Sequence, residues 1–226
     1  MIFGGICAGG NGTRLGGDTP KQFLMLKNKP VICYSAEAML KFDRLDKLFI
    51  AVGKDKTDYC KKLFCDKRIE IIQGGETRNE TMVLLAEKAL KAGSQEDILI
   101  THDAARPFVD LDTIVSTAEA AEKYGAAAAC IPASDTVLRC CDGFLREAPP
   151  REEMYLAQTP QAFRIGLFLS VWNRLSQKEK ALATDICGIF DKRLVTVKIT
   201  EGSINCFKIT YKEDLERAEA MLKNRS

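Results

Sequence analysis

Short apolar runs alternate with amphipathic segments along the whole chain, and this alternation restricts the fold more than any other feature. Six runs have the length and composition of buried strands: residues 2–7, 47–52, 69–73, 97–101, 126–131 and 194–199. Four segments repeat apolar residues at helical spacing: residues 31–41, 78–92, 111–124 and 211–223. Strands that alternate with helices form a mostly parallel sheet covered on both faces. We therefore predict an α/β fold with an open, doubly wound sheet.

Length and charge limit the partners of the chain. Its 226 residues fall at the top of the single-domain range, so we expect one domain over residues 1–226. With 33 Lys and Arg against 31 Asp and Glu and no basic block, the sequence favours neither nucleic acid nor a membrane surface as partner. No apolar stretch approaches the roughly 20 residues of a membrane span. A small-molecule partner is the remaining expectation.

The nine cysteines first suggest a secreted disulfide scaffold, but the rest of the sequence argues against one. The first ten residues contain no apolar core of a signal peptide, so we expect a cytoplasmic protein. The cysteines have no CxxC spacing, and His102 is the one histidine available as a zinc co-ligand. We predict mostly buried free thiols that act as small apolar residues.

Residues 133–160 interrupt the alternation. Within them, residues 136–139 and 144–146 flank Asp142-Gly143, a two-residue turn signal typical of a β-hairpin. Such a ribbon has little core of its own. We predict either a surface excursion or an arm that packs on another subunit.

The strongest local signal for chemistry is the glycine-rich segment after the first strand, residues 8–16, followed by Pro-Lys-Gln-Phe at 20–23. Glycines at this point let the backbone approach an anion and direct successive N–H groups at it. Arg14 and Lys21 add fixed positive charge, which suits a polyphosphate. The segment is neither a Walker A loop nor a full dinucleotide fingerprint, because Leu15 replaces the third glycine. A plain strand-to-helix turn with two surface cations stays open as the alternative.

Two more polar clusters follow strand candidates, where ligands gather in a doubly wound sheet. Residues 74–81 place two glycines before a predicted helix and offer free N–H groups near its positive end. Residues 101–107 contain Asp103, a suitable ligand for Mg²⁺ beside phosphate-binding loops. A helix cap or an ion pair with Arg106 is the alternative for Asp103. We expect His102 to be a structural histidine rather than an acid or base.

The third cluster combines residues 150–161 with residues 205–210. Arg151 follows two prolines that stiffen its backbone, and Lys208 interrupts an apolar run. Each alone is typical of a solvated charge. Together they would supply a second pair of cations for a second phosphate.

At these residues the sequence resembles the cytidylyltransferases that join CTP to a sugar-alcohol phosphate. The shared motifs are Ala-Gly-Gly-x-Gly-Thr-Arg, Pro-Lys-Gln-Phe, His-Asp-Ala-Ala-Arg-Pro, Gln-Thr-Pro-Gln and Lys-Ile-Thr, and the resemblance runs from residue 1 to about residue 222. It implies a Rossmann-like nucleotidyltransferase fold. It also implies a homodimer in which the hairpin arm of residues 133–160 reaches into the partner's active site.

The resemblance also implies roles for individual residues. Nucleotide binding would fall to Cys7, Ala8, Gly9, Gly10, Gly12, Gly75, Glu76, Arg78, Asn79 and Thr81. Catalysis would fall to Arg14, Lys21, Arg151 and Lys208, and acceptor binding to Asp103, Arg106, Thr136, Arg151 and Lys208. Asp103 would hold Mg²⁺ or another divalent cation.

Small differences bear on the acceptor. Tyr155 stands where the isoprenoid enzymes that use methylerythritol phosphate usually have Trp, and Leu138 stands where they usually have Lys. Residues 183–190, with 78–81 and 175–180, are similar to the ribitol-5-phosphate enzymes of teichoic-acid and capsule synthesis. We therefore expect ribitol 5-phosphate as the acceptor, giving CDP-ribitol and pyrophosphate, with methylerythritol phosphate as the alternative.

Three points complete the sequence-based expectations. Asn205-Cys206-Phe207 departs from the Asn-Ile or Asn-Leu that precedes this lysine in the relatives, which puts a side-chain contact from position 206 in doubt. A nucleotide-binding module without turnover is the alternative from another class, because function does not follow from fold. An oxidoreductase fits poorly, since the glycine pattern fails.

Overall fold

The computed structural model describes residues 1–9, 19–193 and 195–223. The strands are β1 (Ile2–Ala8), β2 (Met25–Leu26), β3 (Lys29–Pro30), β4 (Lys47–Val52), β5 (Ile69–Gln73), β6 (Ile98–Asp103), β7 (Ala126–Pro132), β8 (Arg139–Cys141), β9 (Phe144–Glu147), β10 (Tyr155–Arg164) and β11 (Lys198–Glu201). The helices are α1 (Val31–Leu40), α2 (Thr57–Leu63), α3 (Arg78–Ala92), α4 (Leu111–Tyr124), α5 (Ile165–Arg174), α6 (Gln177–Leu182), α7 (Ile186–Asp191) and α8 (Lys212–Lys223). None of these helices is long and apolar enough to cross a bilayer.

Seven strands form the central sheet in the order β11-β7-β10-β6-β1-β4-β5. All neighbours are parallel except β10, which runs antiparallel to both β6 and β7. β1 pairs with β4 on one side and with β6 on the other, so the winding direction reverses between β1 and β6. A crevice forms at such a switch point, outside the carboxyl ends of the strands. The predicted α/β, doubly wound, mostly parallel sheet is confirmed.

Helices cover both faces of this sheet. Buried side chains of α1, α2 and α4 pack on one face, and those of α3, α5 and α7 pack on the other. Gly4 and Gly5 of β1 face opposite layers, and a Cβ at Gly4 would lie 2.7 Å from Leu48 and one at Gly5 would lie 3.1 Å from Leu85. The central strand is therefore narrow on both sides, which lets the two helical layers approach it.

The hairpin predicted within residues 133–160 is present, but the last six residues of that segment do not belong to an arm. β8 and β9 pair around Asp142 and Gly143, both with positive φ, as a two-residue hairpin turn requires. Both strands are exposed. Residues 155–160, however, belong to β10, a ten-residue strand in the middle of the sheet. The polar motif Gln-Thr-Pro-Gln masks this strand in the sequence, although its residues are buried.

Other boundaries differ less. Of the strand expected at 194–199, Leu194 lies outside the described residues. The observed strand begins at Lys198, because residues 198–201 pair with β7 while Val195 and Val197 pack against the helical layer. The strand expected at 97–101 extends to Asp103. The helices predicted at 78–92 and 111–124 are confirmed with those bounds, whereas α2, α5, α6 and α7 were not predicted.

Packing at Gly4 generates a stability prediction. Gly4→Ala should lower the free energy of unfolding by about 1–3 kcal/mol, because the added methyl overpacks a buried contact with Leu48. Urea denaturation measures it. The control is Gly188→Ala in α7, where a Cβ would have ordinary contacts at 3.6 Å and should not destabilise. Equal midpoints for Gly4→Ala and the wild type would contradict the tight packing of β1.

Candidate nucleotide-binding site

A pocket of about 240 Å³ lies at the carboxyl ends of β1 and β6, at the switch point of the sheet. Nine residues predicted from the sequence line it: Cys7, Ala8, Gly9, Lys21, Glu76, Arg78, Thr81, Asp103 and Lys208. Five lining residues were not predicted: Gln22, Thr77, Ala104, Ala105 and Thr210. Segments up to 200 residues apart therefore meet in one pocket.

The end of β1 and the turn before α3 form one wall. The side chain of Gln22 donates to the carbonyl of Ala8 at 2.7 Å and fixes the end of the strand. A Cβ at Gly9 would lie 3.5 Å from both the Gly75 carbonyl and the Thr81 hydroxyl, so glycine permits the close approach of the two segments. Gly75 in turn donates its N–H to the Thr81 hydroxyl at 3.1 Å.

The start of α3 points its first turn at the pocket. The Thr77 side chain accepts from the N–H of Glu80, and the Glu80 carboxylate accepts from the N–H of Thr77, a complete capping box. The cap fixes Arg78, the first residue of the helix, on the pocket wall. A helix N-terminus is positive, which adds to the attraction for a phosphate group.

Asp103 is the electrostatic centre of the pocket. Its Oδ2 lies 2.8 Å from Nζ of Lys208 and 3.6 Å from Nε of Arg106, and its Oδ1 lies 3.2 Å from Nε of Arg78. Burial would raise the pKa of Asp103, but the charges of Arg78, Lys208 and Arg106 outweigh it and hold the pKa well below its usual value. The ion pair with Arg106, an alternative role for Asp103, is thus present. Three cations around one carboxylate leave a net positive site suited to a polyanion.

The metal role of Asp103 stays a prediction. Within residues 1–9, 19–193 and 195–223, no group of three His, Cys, Asp or Glu side chains is placed to hold a metal ion. Mg²⁺ commonly takes one or two carboxylates and completes its shell with phosphate oxygens and water. One carboxylate on the wall of a phosphate-sized pocket fits that set when the nucleotide brings the other ligands.

Neither thiol nor imidazole at the pocket is set up for acid–base or nucleophilic chemistry. Burial raises the pKa of Cys7 to about 11, so its thiol stays protonated at neutral pH. His102 is fully buried; Nε2 donates to the Arg106 carbonyl at 3.0 Å and Nδ1 accepts from the Thr159 hydroxyl at 3.0 Å. Burial is the main reason that its pKa falls to about 4. His102 is a neutral structural group, as the sequence predicts.

The other predicted residues lie outside the pocket lining. Arg106 lies behind Asp103, and Asn79 faces a neighbouring groove, where it donates to the carbonyls of Lys180 and Ala183. Thr136 and Arg151 are exposed and do not line the pocket of their own chain. The predicted Gly10, Gly12 and Arg14 lie outside the described residues.

Two buried glutamines and a threonine of β10 were missed by the sequence analysis. Thr159 accepts from the backbone N–H of Asp103 at 3.1 Å, and Gln161 donates to Asp185 at 2.9 Å and accepts from the N–H of Ile186. Gln158 binds the backbone of Ser203. A polar motif between apolar neighbours was the available signal, because buried amides and hydroxyls need hydrogen-bond partners.

Fold and site together define a Rossmann-like nucleotidyltransferase: a doubly wound sheet with a cationic pocket at the end of its first strand. The sequence profile of the 2-C-methyl-D-erythritol 4-phosphate cytidylyltransferase family (IspD) matches residues 3–224. The chain belongs to this family of CTP-dependent cytidylyltransferases.

Solved structures agree with this placement. The chain is 27% identical to the 2-C-methyl-D-erythritol 4-phosphate cytidylyltransferase of Thermus thermophilus, with a TM-score of 0.75 over 98% of both chains. It is 26% identical to the Francisella tularensis enzyme, with a TM-score of 0.80 over 97% of this chain and 98% of that one. The 4-diphosphocytidyl-2C-methyl-D-erythritol synthase of Anaerococcus prevotii shares the fold at 24% identity and a TM-score of 0.82, over 98% of this chain and 96% of that one.

The burial of His102 generates a titration prediction. His102 is the one histidine of the chain, so its ring proton resonance can be followed by NMR without assignment. We expect a midpoint near pH 4, against about 6.5 for an exposed histidine. Between these values the unfolded chain binds a proton that the folded chain does not, so folding stability rises with pH by about 3 kcal/mol from this group.

His102→Gln should remove that part of the pH dependence, as measured by urea denaturation at pH 4.5 and pH 7. The contribution of Asp103, whose folded pKa is lowered, declines from about pH 5 downward, but it is common to the wild type and His102→Gln and therefore cancels in the comparison. A wild-type resonance that titrates near pH 6.5 would contradict the buried, neutral state of His102.

Proposed function

We propose that this protein transfers the cytidylyl group of CTP to 2-C-methyl-D-erythritol 4-phosphate and releases pyrophosphate. The observation that carries the nucleotidyl-transfer chemistry is the cluster of Arg78, Arg106 and Lys208 around Asp103, beside the glycine-rich end of β1. The acceptor is supported by the family match over residues 3–224 and by the names of relatives 26–27% identical to this chain. This acceptor takes precedence over the ribitol 5-phosphate expected from the sequence.

Ribitol 5-phosphate is the second candidate, and one observation favours it. The segments similar to the ribitol enzymes contact each other, since Arg78 donates to the carbonyl of Thr184 and Asn79 donates to those of Lys180 and Ala183. These residues act as one unit beside the nucleotide pocket.

The reaction needs no covalent intermediate with the protein. A phosphate oxygen of the acceptor attacks the α-phosphorus of CTP in line. A new P–O bond forms as the bond to the bridging oxygen breaks, and pyrophosphate leaves with that electron pair. The protein has to hold the two phosphates in line and neutralise the charge that accumulates.

The residues divide these tasks. The end of β1 and residues 75–81 would bind CTP, and Arg14 and Lys21 would stabilise charge at the α-phosphorus. Lys208 would seat the acceptor phosphate, in exchange for its contact with Asp103. Mg²⁺, held by Asp103 and the nucleotide, would supply further charge neutralisation when bound.

Two acceptor-binding residues require a second chain in this proposal. Thr136 and Arg151 lie on or beside the exposed hairpin, away from the pocket that holds Lys208. The hairpin also exposes Phe144 and Leu145 by 73% and 61% of their surface. We propose a homodimer in which the arm of each chain completes the acceptor site of the other. A cytoplasmic location accompanies this proposal.

The first functional prediction compares acceptors. Incubation with CTP, Mg²⁺ and 2-C-methyl-D-erythritol 4-phosphate should release pyrophosphate much faster than incubation with ribitol 5-phosphate. Lys208→Ala should reduce the rate at least about 100-fold, on the scale of a lost charge-stabilising donor. Lys47→Ala, an exposed lysine at the amino end of β4, is the matched control.

The possible outcomes separate the candidates. Turnover with ribitol 5-phosphate alone would establish the second candidate. Tight CTP binding without product from either acceptor would indicate a binding module. A wild-type rate for Lys208→Ala would refute its assigned role.

The second functional prediction concerns the arm. The double variant Phe144→Asp/Leu145→Asp should be a monomer in light scattering where the wild type is a dimer, because charge replaces the exposed apolar surface of the hairpin. The folded pocket should still bind CTP, while turnover should fall because Arg151 and Thr136 no longer reach the partner. Tyr124→Asp, at a residue 48% exposed at the end of α4, serves as control. A monomeric wild type at micromolar concentration would overturn the arm exchange.

A further inference from the structure

The segment between β11 and α8 carries Lys208 into the pocket without belonging to a helix or strand. β11 ends at Glu201 and α8 begins at Lys212, and beyond the N–H of Gly202, which still bonds to β7, residues 203–211 have no ladder to satisfy their backbone. Buried or half-buried backbone groups need partners elsewhere in the fold. The position of Lys208 depends on what these partners are.

The side chain of Gln158 supplies two of them. Its Nε2 donates to the carbonyl of Ser203 at 2.9 Å, and its Oε1 accepts from the N–H of Ser203 at 3.1 Å. Gln158 lies on β10 and is 5% exposed. A primary amide is the neutral side chain that offers both a donor and an acceptor to one peptide unit. The Gln158 side chain therefore takes the place of a strand partner for Ser203, two residues past the end of β11.

Gly202 makes room for this contact. Its N–H donates to the carbonyl of Cys130 at 2.8 Å. A Cβ at this position would lie 2.5 Å from Oε1 of Gln158 and 3.1 Å from the Cys130 carbonyl. The Gln158 amide cannot move away without breaking its two bonds to Ser203. Glycine at 202 and glutamine at 158 therefore depend on each other.

A second attachment lies closer to Lys208. The thiol of Cys206 donates to the carbonyl of Thr159 at 3.3 Å, and Arg106 donates to the carbonyl of Cys206 at 2.7 Å. The Thr159 hydroxyl also accepts from the N–H of Asp103. Neighbouring residues of β10 thus hold both the backbone of Asp103 and the segment that carries Lys208.

We infer that Gln158 is a positioning residue: through Ser203 it fixes the segment that holds the Lys208 ammonium at Asp103 in the free protein, within reach of the acceptor phosphate that would take the place of Asp103. The inference rests on the proposed role of Lys208 in seating that phosphate. The side-chain hydrogen bonds of Gln158 go to Ser203 and not to β1 or α3, so we expect its effect to fall on the acceptor side.

Gln158→Glu tests this with almost no change in size. An ionised carboxylate can accept from the Ser203 N–H but repels the Ser203 carbonyl, whereas the protonated acid donates to it. We expect the KM for the acceptor to rise about ten-fold at pH 8, the scale of one lost backbone hydrogen bond, while CTP affinity in calorimetry stays unchanged. The defect should shrink toward pH 6, because burial raises the pKa of a carboxyl group at this position.

Two controls isolate the geometry from the charge. Gln95→Glu makes the same chemical change at an exposed position in the turn before β6 and should leave the acceptor KM unchanged. Gly202→Ala should raise the acceptor KM without pH dependence. A purely structural role would instead lower stability and CTP affinity together, and that result would overturn the inference.

A readout without an acceptor keeps the two proposals separable. Acylation of Lys208 by acetic anhydride, followed by mass spectrometry with Lys47 as reference, should become several-fold faster in Gln158→Glu, because Lys208 leaves Asp103. An unchanged rate would overturn the inference even if the enzyme is active. An inactive wild type with a changed Lys208 rate would refute the proposed function and retain the positioning role.

Discussion

One buried carboxylate organises the functional end of this molecule. Asp103 lies at the end of β6 and contacts Arg78, Arg106 and Lys208, which belong to three different segments. Three cations in one pocket would repel each other without it, and a buried carboxylate would be costly without them. Both costs are avoided only when the start of α3, the end of β6 and the segment after β11 meet. The pocket is therefore a consequence of charge balance as much as of packing.

The antiparallel strand in an otherwise parallel sheet explains how these segments are held. Because β10 runs opposite to β6 and β7, its first half lies at the carboxyl ends of its neighbours, where the ligand crevice opens. Gln158, Thr159 and Gln161 each bind a different segment: the Lys208 segment, the backbone of Asp103 and the start of α7. In a parallel strand, the first half would lie at the amino ends of β6 and β7, at the opposite edge of the sheet from the pocket.

The sequence predicts the parts of this fold whose signal is local. The glycine turn before α3, the apolar strands and the helices at 78–92 and 111–124 need only composition and period. The sequence does not predict β10, because the polar side chains of this strand form their hydrogen bonds with residues 24 to 57 positions away. The pairing of Lys208 with Asp103 spans 105 positions, so no local pattern contains it. The resemblance names the two residues, and the structure supplies the contact.

The two halves of the site obey different constraints. The nucleotide half is built from β1, the capped start of α3 and buried Asp103, all of which also belong to the core or its edge. The proposed acceptor half would combine Lys208, on a segment held by side chains, with Thr136 and Arg151 on an exposed arm. Core residues cannot change without a cost in stability, whereas exposed ones can. In the proposed dimer, a change of acceptor would therefore fall on residues of the arm and of the 202–208 segment, while the core holds the nucleotide half unchanged.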